Sequence, residues 1–143
     1  MTEQEVIELL ERTGVLMYGH FRLTSGKHSD TYLQCAKVLQ YPDLAERLAR
    51  PIAEAFKAEG VQVVTGPATG GIIVAHEVAR VIGARAIFGE REDGVMTLRR
   101  GFAIEPGERV LVVEDELTTG GSASDLMQAV RERQGVVVGV GAL

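Results

Sequence analysis

The 143-residue chain has a single cysteine, Cys35, and it has no apolar run long enough to span a bilayer. One cysteine excludes an internal disulfide and favours a reducing compartment. Basic residues are also few, since 15 Lys and Arg stand against 20 Asp and Glu and give a formal net charge of −5. This balance argues against a general nucleic-acid binder. The N-terminal segment MTEQEVIELLER is too acidic for a signal peptide, so we expect a soluble, cytoplasmic protein that does not bind membranes.

The composition that remains is typical of one globular α/β domain. Hydrophobic residues make up 45% of the chain and charged residues 24%. Helical patterns alternate with four short apolar runs, which are 61–65, 84–88, 109–113 and 136–143. These runs are continuous rather than alternating, as in strands that are buried on both faces. We therefore predict a mostly parallel, twisted sheet flanked by helices, within a single domain spanning 1–143.

The N-terminal 35 residues have a different pattern. Thr2 and Glu5 fit a capping box at the start of a helix, and residues 20–35 have the signals of a β-hairpin. We expect residues 1–35 to form a helix-plus-hairpin hood on an α/β core of residues 36–143. Within the core, the polar segment 89–94 is expected to be mobile, and 96–104 to form a short ribbon.

Two glycine-containing loops follow predicted strands and open predicted helices. One is GPATGG, Gly66–Gly71, and the other is TTGGS, Thr118–Ser122. Glycine lets backbone N–H groups approach an anion, and a helix N-terminus adds positive potential. Taken alone, GPATGG is more typical of a structural turn. A Walker loop appears nowhere, and the GxG near the C-terminus precedes no helix, so neither nucleotide fingerprint is present.

Carboxylates stand directly before the second loop. Glu114 and Asp115 end a predicted strand, where they would repel a phosphate unless they had another task. Accepting hydrogen bonds from a sugar diol, or holding Mg²⁺ through water, are two such tasks, and both suit a ribose phosphate. The simplest interpretation of Glu116 is a solvated surface charge. It is still a substrate-binding candidate because it lies in the same loop.

The segment VLVVEDELTTGGSA closely resembles the signature of the type I phosphoribosyltransferases. Three further segments are similar to the orotate phosphoribosyltransferases within that family, namely the hairpin HFRLTSGKHSDTYLQ, the loop GPATGGI and the lid-like FGEREDGVMTLRRGF. The resemblance covers nearly the whole chain. It implies the type I phosphoribosyltransferase fold and the transfer of ribose 5-phosphate from 5-phosphoribosyl 1-pyrophosphate to orotate.

The resemblance also implies roles for matching residues. Glu114 and Asp115 would bind the ribose hydroxyls, directly or through Mg²⁺-bound water, and Arg91 would reach the pyrophosphate, usually across a homodimer interface. The remaining substrate-binding candidates are Leu117, Thr118, Thr119, Gly120, Gly121 and Ser122 for the 5-phosphate, Ala68, Thr69, Gly70 and Gly71 for the pyrophosphate, and Lys27 and Tyr32 for the base. Asp115 and Arg91 are the catalytic candidates. Gly89 and Gly94 are candidate lid hinges.

Three departures from the family keep other functions open. Thr24 replaces a basic residue of the hairpin, Arg91 is the one cation of a short lid, and the family's arginine for the orotate carboxylate would lie beyond Leu143. We therefore expect a complete donor-sugar site and an incomplete base site in these 143 residues. The alternatives are transfer to a purine or another base, and non-catalytic binding of the ribosyl donor.

The three histidines have no metal-ligand spacing among them. His76 lies in a predicted helix and is interpreted as structural. His28 lies in the hairpin, near the expected base site, and is a minor candidate for that site.

Overall fold

In the computed structural model, which describes residues 1–143 throughout, helices and strands alternate along the chain. The helices are α1 (Glu3–Arg12), α2 (Ala36–Leu39), α3 (Pro42–Ala55), α4 (Gly70–Ile82) and α5 (Gly121–Glu132). The strands are β1 (Leu16–Arg22), β2 (His28–Leu33), β3 (Val63–Pro67), β4 (Arg85–Glu92), β5 (Val95–Thr97), β6 (Arg109–Glu114) and β7 (Val136–Ala142). None of the helices combines the length and the apolar character needed to cross a membrane.

The core is a five-stranded sheet with the strand order β5-β4-β3-β6-β7. Strands β4, β3, β6 and β7 are parallel, and β5 joins antiparallel to β4. Side chains of the central strands alternate between two buried clusters. Val64 and Leu111 lie in the cluster with α3 and α4, whereas Val63 and Val110 lie in the cluster with α5. Burial on both faces explains the continuous apolar runs, and the predicted α/β architecture is confirmed.

The N-terminal segment forms a helix and a separate two-stranded antiparallel sheet, as predicted. The capping box is present. The Glu5 N–H donates to the Thr2 hydroxyl at 3.2 Å, and the Thr2 N–H donates to the Glu5 carboxylate at 2.6 Å. The predicted hairpin began too late, because β1 starts at Leu16. A register shift between Tyr18 and Phe21 interrupts the alternation of side chains along β1, so the first half of this strand is not recognisable from the sequence pattern.

The strand predicted over 84–88 is too short, and the polar segment 89–94 belongs to a hairpin. Strand β4 continues through Glu92 and turns back into β5 at Asp93 and Gly94. Both turn residues have positive φ, 51° and 80°, which is the combination that a two-residue Asp-Gly hairpin turn supplies. The segment is polar because β4 runs past the buried part of the sheet, and its last residues are exposed.

Gly89, a predicted lid hinge, has a packing role in the structure. A Cβ at this position would lie 2.6 Å from Leu126 Cδ1 on α5, so glycine allows the helix to approach the strand closely. The predicted ribbon over 96–104 is also shorter than expected. Its strand ends at Thr97, and a turn with positive φ at Arg100 follows.

Thr65 lies on the central strand β3, fully buried, and its hydroxyl makes no hydrogen bond to any protein group. An unpaired buried hydroxyl costs about 1–3 kcal/mol. Its cross-strand neighbours are Ile87 and Val112, so a valine of nearly the same shape would complete an apolar layer.

We therefore expect Thr65→Val to raise the melting temperature by about 3 °C, as measured by calorimetry. Thr65→Ala serves as the control, because it removes the hydroxyl but leaves a cavity and should not stabilise the fold. A lower melting temperature for the valine variant would show that the hydroxyl has a partner in solution.

Candidate active site

Both glycine-containing loops emerge at the carboxyl edge of the sheet, from the neighbouring parallel strands β3 and β6. Residues 68–69 connect β3 to α4, and residues 115–120 connect β6 to α5. Because adjacent parallel strands end at the same edge, the two helix N-termini lie side by side. This edge is where open parallel sheets bind their ligands.

The first loop presents unpaired donors. The Ala68 N–H is tied to the Gly89 carbonyl at 2.7 Å, which anchors the loop to β4. The next three N–H groups make no hydrogen bond to the protein, and they belong to Thr69, Gly70 and Gly71. Consecutive free N–H groups at the start of a helix form a cradle suited to a phosphate or pyrophosphate oxygen.

The second loop forms a similar cradle at the start of α5. The N–H groups without a protein partner are those of Thr118, Thr119, Gly120 and Ser122. The Gly121 N–H donates to the Thr119 hydroxyl at 3.3 Å, and Gly120 has a φ of 76°, a conformation that favours glycine. Leu117 is 46% exposed, so the loop is open to solvent before it enters the helix.

Asp115 joins the two loops. A Cβ added to Gly70 would lie 2.1 Å from Asp115 Oδ2, so the carboxylate rests directly against the Gly70 backbone. Asp115 Oδ1 accepts a hydrogen bond from the Glu116 N–H at 3.0 Å, which fixes the side chain. The Asp115 carboxylate and the cradle at the start of α4 therefore lie next to each other, although they are 45 residues apart in sequence.

The adjacent carboxylates of Glu114, Asp115 and Glu116 form an acidic cluster and repel one another. Burial, together with the charges of Asp115 and Glu116, raises the pKa of Glu114 above its usual value of 4.5. Burial and the charge of Asp115 raise the pKa of Glu116 in the same direction. A bound cation or a set of hydroxyl donors would relieve this repulsion.

We expect Glu114→Gln to raise the melting temperature at pH 7. The folded-state pKa of Glu114 is higher than the unfolded value of 4.5, so its ionised form destabilises the fold at neutral pH. The penalty is absent below the unfolded pKa and grows as the pH rises through the folded pKa. The two melting temperatures should therefore converge as the pH falls below 4.5. A difference that persists in acid would contradict this electrostatic origin.

Cys35, at the start of α2, links the hood to the acidic loop, a contact that no local sequence signal predicts. Its thiol donates to the Asp115 carbonyl at 3.6 Å across 80 residues of sequence. Burial, with the charges of Asp115 and Glu116, raises its pKa to about 12, so the thiol stays neutral. The other hood candidates lie on the hairpin. Lys27 is exposed in its turn, and Tyr32 stacks on Phe21 with ring centroids 5.5 Å apart.

Arg91 lies near the end of β4, where two partners hold its guanidinium. It donates to the Asp125 carboxylate on α5 at 2.9 Å and to the Gly94 carbonyl at 3.1 Å. Arg91 and Asp125 are 42% and 53% exposed, and they line a surface groove of about 280 Å³ between the β4–β5 hairpin and α5. The acidic partner was not foreseen, because only the docking of α5 brings it near.

Known proteins were compared with the chain by sequence. No family model matches it. The orotate phosphoribosyltransferase of Pelotomaculum thermopropionicum is 59% identical over 143 residues, which cover all of this chain and 75% of that protein. The orotate phosphoribosyltransferase of Caldanaerobacter subterraneus is 58% identical over the same length, with the same coverage. The chain thus spans three-quarters of the length of these curated relatives.

Solved structures agree with the sequence comparison. The orotate phosphoribosyltransferase of Mycobacterium tuberculosis, in complex with Fe(III) dicitrate, has a TM-score of 0.80 at 30% identity over 97% of this chain and 80% of that chain. The orotate phosphoribosyltransferase of Aeropyrum pernix has a TM-score of 0.79 over 96% of this chain and 80% of that chain. Its sequence identity is 24%, so this likeness shows the fold alone. The fold is that of the type I phosphoribosyltransferases. Given this fold and relatives up to 59% identical over its whole length, the chain belongs to the orotate phosphoribosyltransferase family.

Proposed function

We propose that this chain transfers ribose 5-phosphate from 5-phosphoribosyl 1-pyrophosphate to orotate, giving orotidine 5-phosphate and pyrophosphate for pyrimidine nucleotide synthesis. The observation that carries the proposal is the contact of Asp115 with Gly70, which joins a diol-binding carboxylate to a second anion cradle. A donor with one phosphate at C5 and a pyrophosphate at C1 needs both cradles and the carboxylates between them. Family membership supports the same substrates.

Each part of the donor has matching groups in the site. Glu114 and Asp115 would accept hydrogen bonds from the ribose hydroxyls, and Leu117 to Ser122 would surround the 5-phosphate. The free N–H groups at the start of α4 would receive the pyrophosphate. Charge-assisted hydrogen bonds of this kind position a ligand more strongly than neutral ones do.

Mg²⁺ fits this donor set when it is held through water. No group of three or more His, Cys, Asp or Glu side chains converges on one point, so the protein alone does not supply a full coordination sphere. Mg²⁺ commonly keeps several waters and binds one or two carboxylates together with substrate phosphates. Glu114 and Asp115 would hold it, and it would neutralise charge on the departing pyrophosphate.

The reaction needs no covalent protein intermediate. The bond from C1 to pyrophosphate breaks through an oxocarbenium-like state, and N1 of orotate forms the new bond. Cys35, the one thiol, is buried with a pKa of about 12 and is no nucleophile. The chain's contribution is to orient the donor and to stabilise the leaving charge with fixed N–H groups.

The hood would supply the base side of the site, with Tyr32 against the orotate ring and Lys27 in place of the basic hairpin residue that Thr24 replaces. We also propose that the protein is a cytoplasmic homodimer, with Arg91 of one protomer acting on the pyrophosphate bound by its partner. The exposure of Arg91 and the open groove beside it support a role at such an interface.

The test of the proposed activity is a pyrophosphate-release assay. The protein is given Mg²⁺ and the ribosyl donor, followed by orotate, hypoxanthine, adenine or uracil in separate reactions. Release with orotate supports the proposal. Release only with a purine would assign the site to another type I phosphoribosyltransferase, and tight donor binding without release would indicate a non-catalytic binder.

We expect Arg91→Gln to lower kcat/KM about 10- to 100-fold, because the variant loses one charge-assisted hydrogen bond to pyrophosphate. The melting temperature should hardly change, because exposed ion pairs contribute about 0–1 kcal/mol. Asp125→Asn is the matched control, since it breaks the same ion pair but leaves the arginine in place. Equal activity losses in both variants would mean that the ion pair itself matters, not the cation.

The shared-site dimer has its own test. Arg91→Gln and Asp115→Asn protomers, each expected to be at least about tenfold less active alone, are unfolded together and refolded as a mixture. If the sites are shared, each mixed dimer has one intact site, and about a quarter of wild-type activity returns. No recovery would place both residues in the same protomer's site.

A further inference from the structure

Two histidines of the hood hairpin lie side by side. His20 and His28 are eight residues apart, and the hairpin places them on adjacent antiparallel strands. Their ring centroids are 4.7 Å apart with the planes tilted by 45°, and His20 Nε2 lies 2.5 Å from His28 Nδ1. The third histidine, His76, lies on α4 and has no part in this pair.

We propose that His20 and His28 form a two-nitrogen binding site for a divalent transition metal of the Zn²⁺, Ni²⁺ or Cu²⁺ class. Neutral imidazole is a preferred ligand of these ions. With bonds of 2.0–2.1 Å at tetrahedral angles, two ligating nitrogens lie about 3.3 Å apart. The pair needs to open by only about 0.8 Å from its observed distance to reach that geometry. Both side chains are exposed, so an ion reaches them without any rearrangement of the core.

In the metal-free state the same contact is an N–H···N hydrogen bond, in which one ring donates and the other accepts. A metal ion would bind the two facing nitrogens, and the donor ring would carry its proton on its other nitrogen, as the other neutral tautomer. Neither ring makes any other hydrogen bond. The outer ring nitrogens therefore lack the carboxylate or carbonyl partner that tight metal sites use to orient histidine, and water fills the remaining coordination positions.

The surrounding charges work in both directions. Arg22 is the register partner of His28 and disfavours a cation, whereas Asp30 lies two residues along β2 on the same exposed face and favours one. Together with the missing outer partners, this balance gives a weak site that responds to the metal concentration.

Metal binding would clip β1 to β2 beside the turn that carries Lys27. The hairpin is a separate two-stranded sheet outside the main sheet, and such hairpins gain the most from an added cross-link. An ion that binds only the folded hairpin stabilises it in proportion to the logarithm of its concentration. The metal site is tested without substrate, so its failure is distinguishable from failure of the proposed transferase activity.

The experiment is a Zn²⁺ titration of the full chain, followed by calorimetry and thermal unfolding. His20→Gln and His28→Gln are compared with the wild type, with His76→Gln as the matched control. One equivalent of Zn²⁺ should bind the wild type and the control, and each hairpin variant should bind at least about tenfold more weakly. Equal binding by all four proteins, or no binding by the wild type, would overturn the proposal.

A second measurement does not depend on how the variants fold. In the wild-type protein, Zn²⁺ should shift the NMR signals of His20 Nε2 and His28 Nδ1 and leave those of His76 unchanged. The Asp115→Asn variant should give the same shifts, because the acidic loop is a separate cation site. Loss of the shifts in that variant would mean that the metal binds at the acidic loop instead.

Discussion

Asp115→Asn is expected to lower kcat/KM for 5-phosphoribosyl 1-pyrophosphate by about 10²- to 10⁴-fold without unfolding the protein. The carboxylate would accept two charge-assisted hydrogen bonds from the ribose hydroxyls or from Mg²⁺-bound water. Each contributes about 1.5–3 kcal/mol, and every 1.4 kcal/mol corresponds to a factor of ten. Asparagine also replaces one acceptor oxygen by a donor, which cannot pair with a hydroxyl proton or a cation.

The fold should tolerate this change because asparagine has the same size and keeps Oδ1. That atom can still accept the Glu116 N–H, and the replacement fits the same space beside Gly70. Removing one charge also relieves the repulsion that raises the pKa of Glu114 and of Glu116. The measurement is steady-state kinetics at saturating orotate, with circular dichroism to verify the fold.

Two further variants make the prediction specific. Asp43→Asn makes the same chemical change at an exposed position on α3 and should leave kcat/KM unchanged. Gly70→Ala displaces the same carboxylate without changing Asp115 itself. The added methyl group would lie 2.1 Å from Asp115 Oδ2 and force the side chain away. It should reproduce the loss of activity while Asp115 is still present. Full activity in either site variant would remove the proposed role of Asp115.

Gly66→Ala is expected to have the largest effect on stability, a loss of about 3 kcal/mol or more. Its Cβ would lie 2.4 Å from the Gly71 carbonyl oxygen and 2.8 Å from the Val113 carbonyl oxygen. Both are backbone atoms, so no side chain can rotate out of the way. To make room, α4 must move away from the sheet, and the cradle at its N-terminus moves with it.

The control is Gly19→Ala, on the exposed hairpin, where the nearest atom to an added Cβ is the Phe21 ring at 3.4 Å. Denaturant unfolding should show a large loss for Gly66→Ala and little change for Gly19→Ala. If the two variants have similar free energies of unfolding, the close packing of α4 on β3 is not the reason for glycine at position 66.

Local chemistry explains what could be foreseen. The capping box at Thr2 was predictable because it depends on two residues three positions apart. The strand at 109–113 was predictable from the apolar pattern of a single segment. The anion loops were recognisable because each consists of a strand end, glycines and a helix start within a few residues. Contacts between distant segments carry no such signal. The resemblance placed Gly70 and Asp115 at one ligand but did not predict their direct contact, and nothing near Arg91 points to Asp125.

Two errors had physical causes. The polarity of 89–94 suggested a loop, because loops are exposed to solvent. A strand that extends beyond the buried part of its sheet is also exposed, and it is polar for that reason. The Asp93–Gly94 turn was the signal for the hairpin, and it was outweighed by composition. Gly89 was assigned flexibility, whereas its lack of a side chain serves the close approach of α5.

The sequence by itself determined the order of strands and helices, the two helix-start cradles and the acidic pair, because short-range periodicity and turn chemistry encode them. Only the tertiary structure decided that Asp115 closes on Gly70, that Cys35 ties the hood to the acidic loop and that His20 meets His28. Such contacts depend on sheet order, strand register and bulges. These are set by the packing of the whole core, and a one-residue change in the β1–β2 register would have turned His20 and His28 to opposite faces of the hairpin.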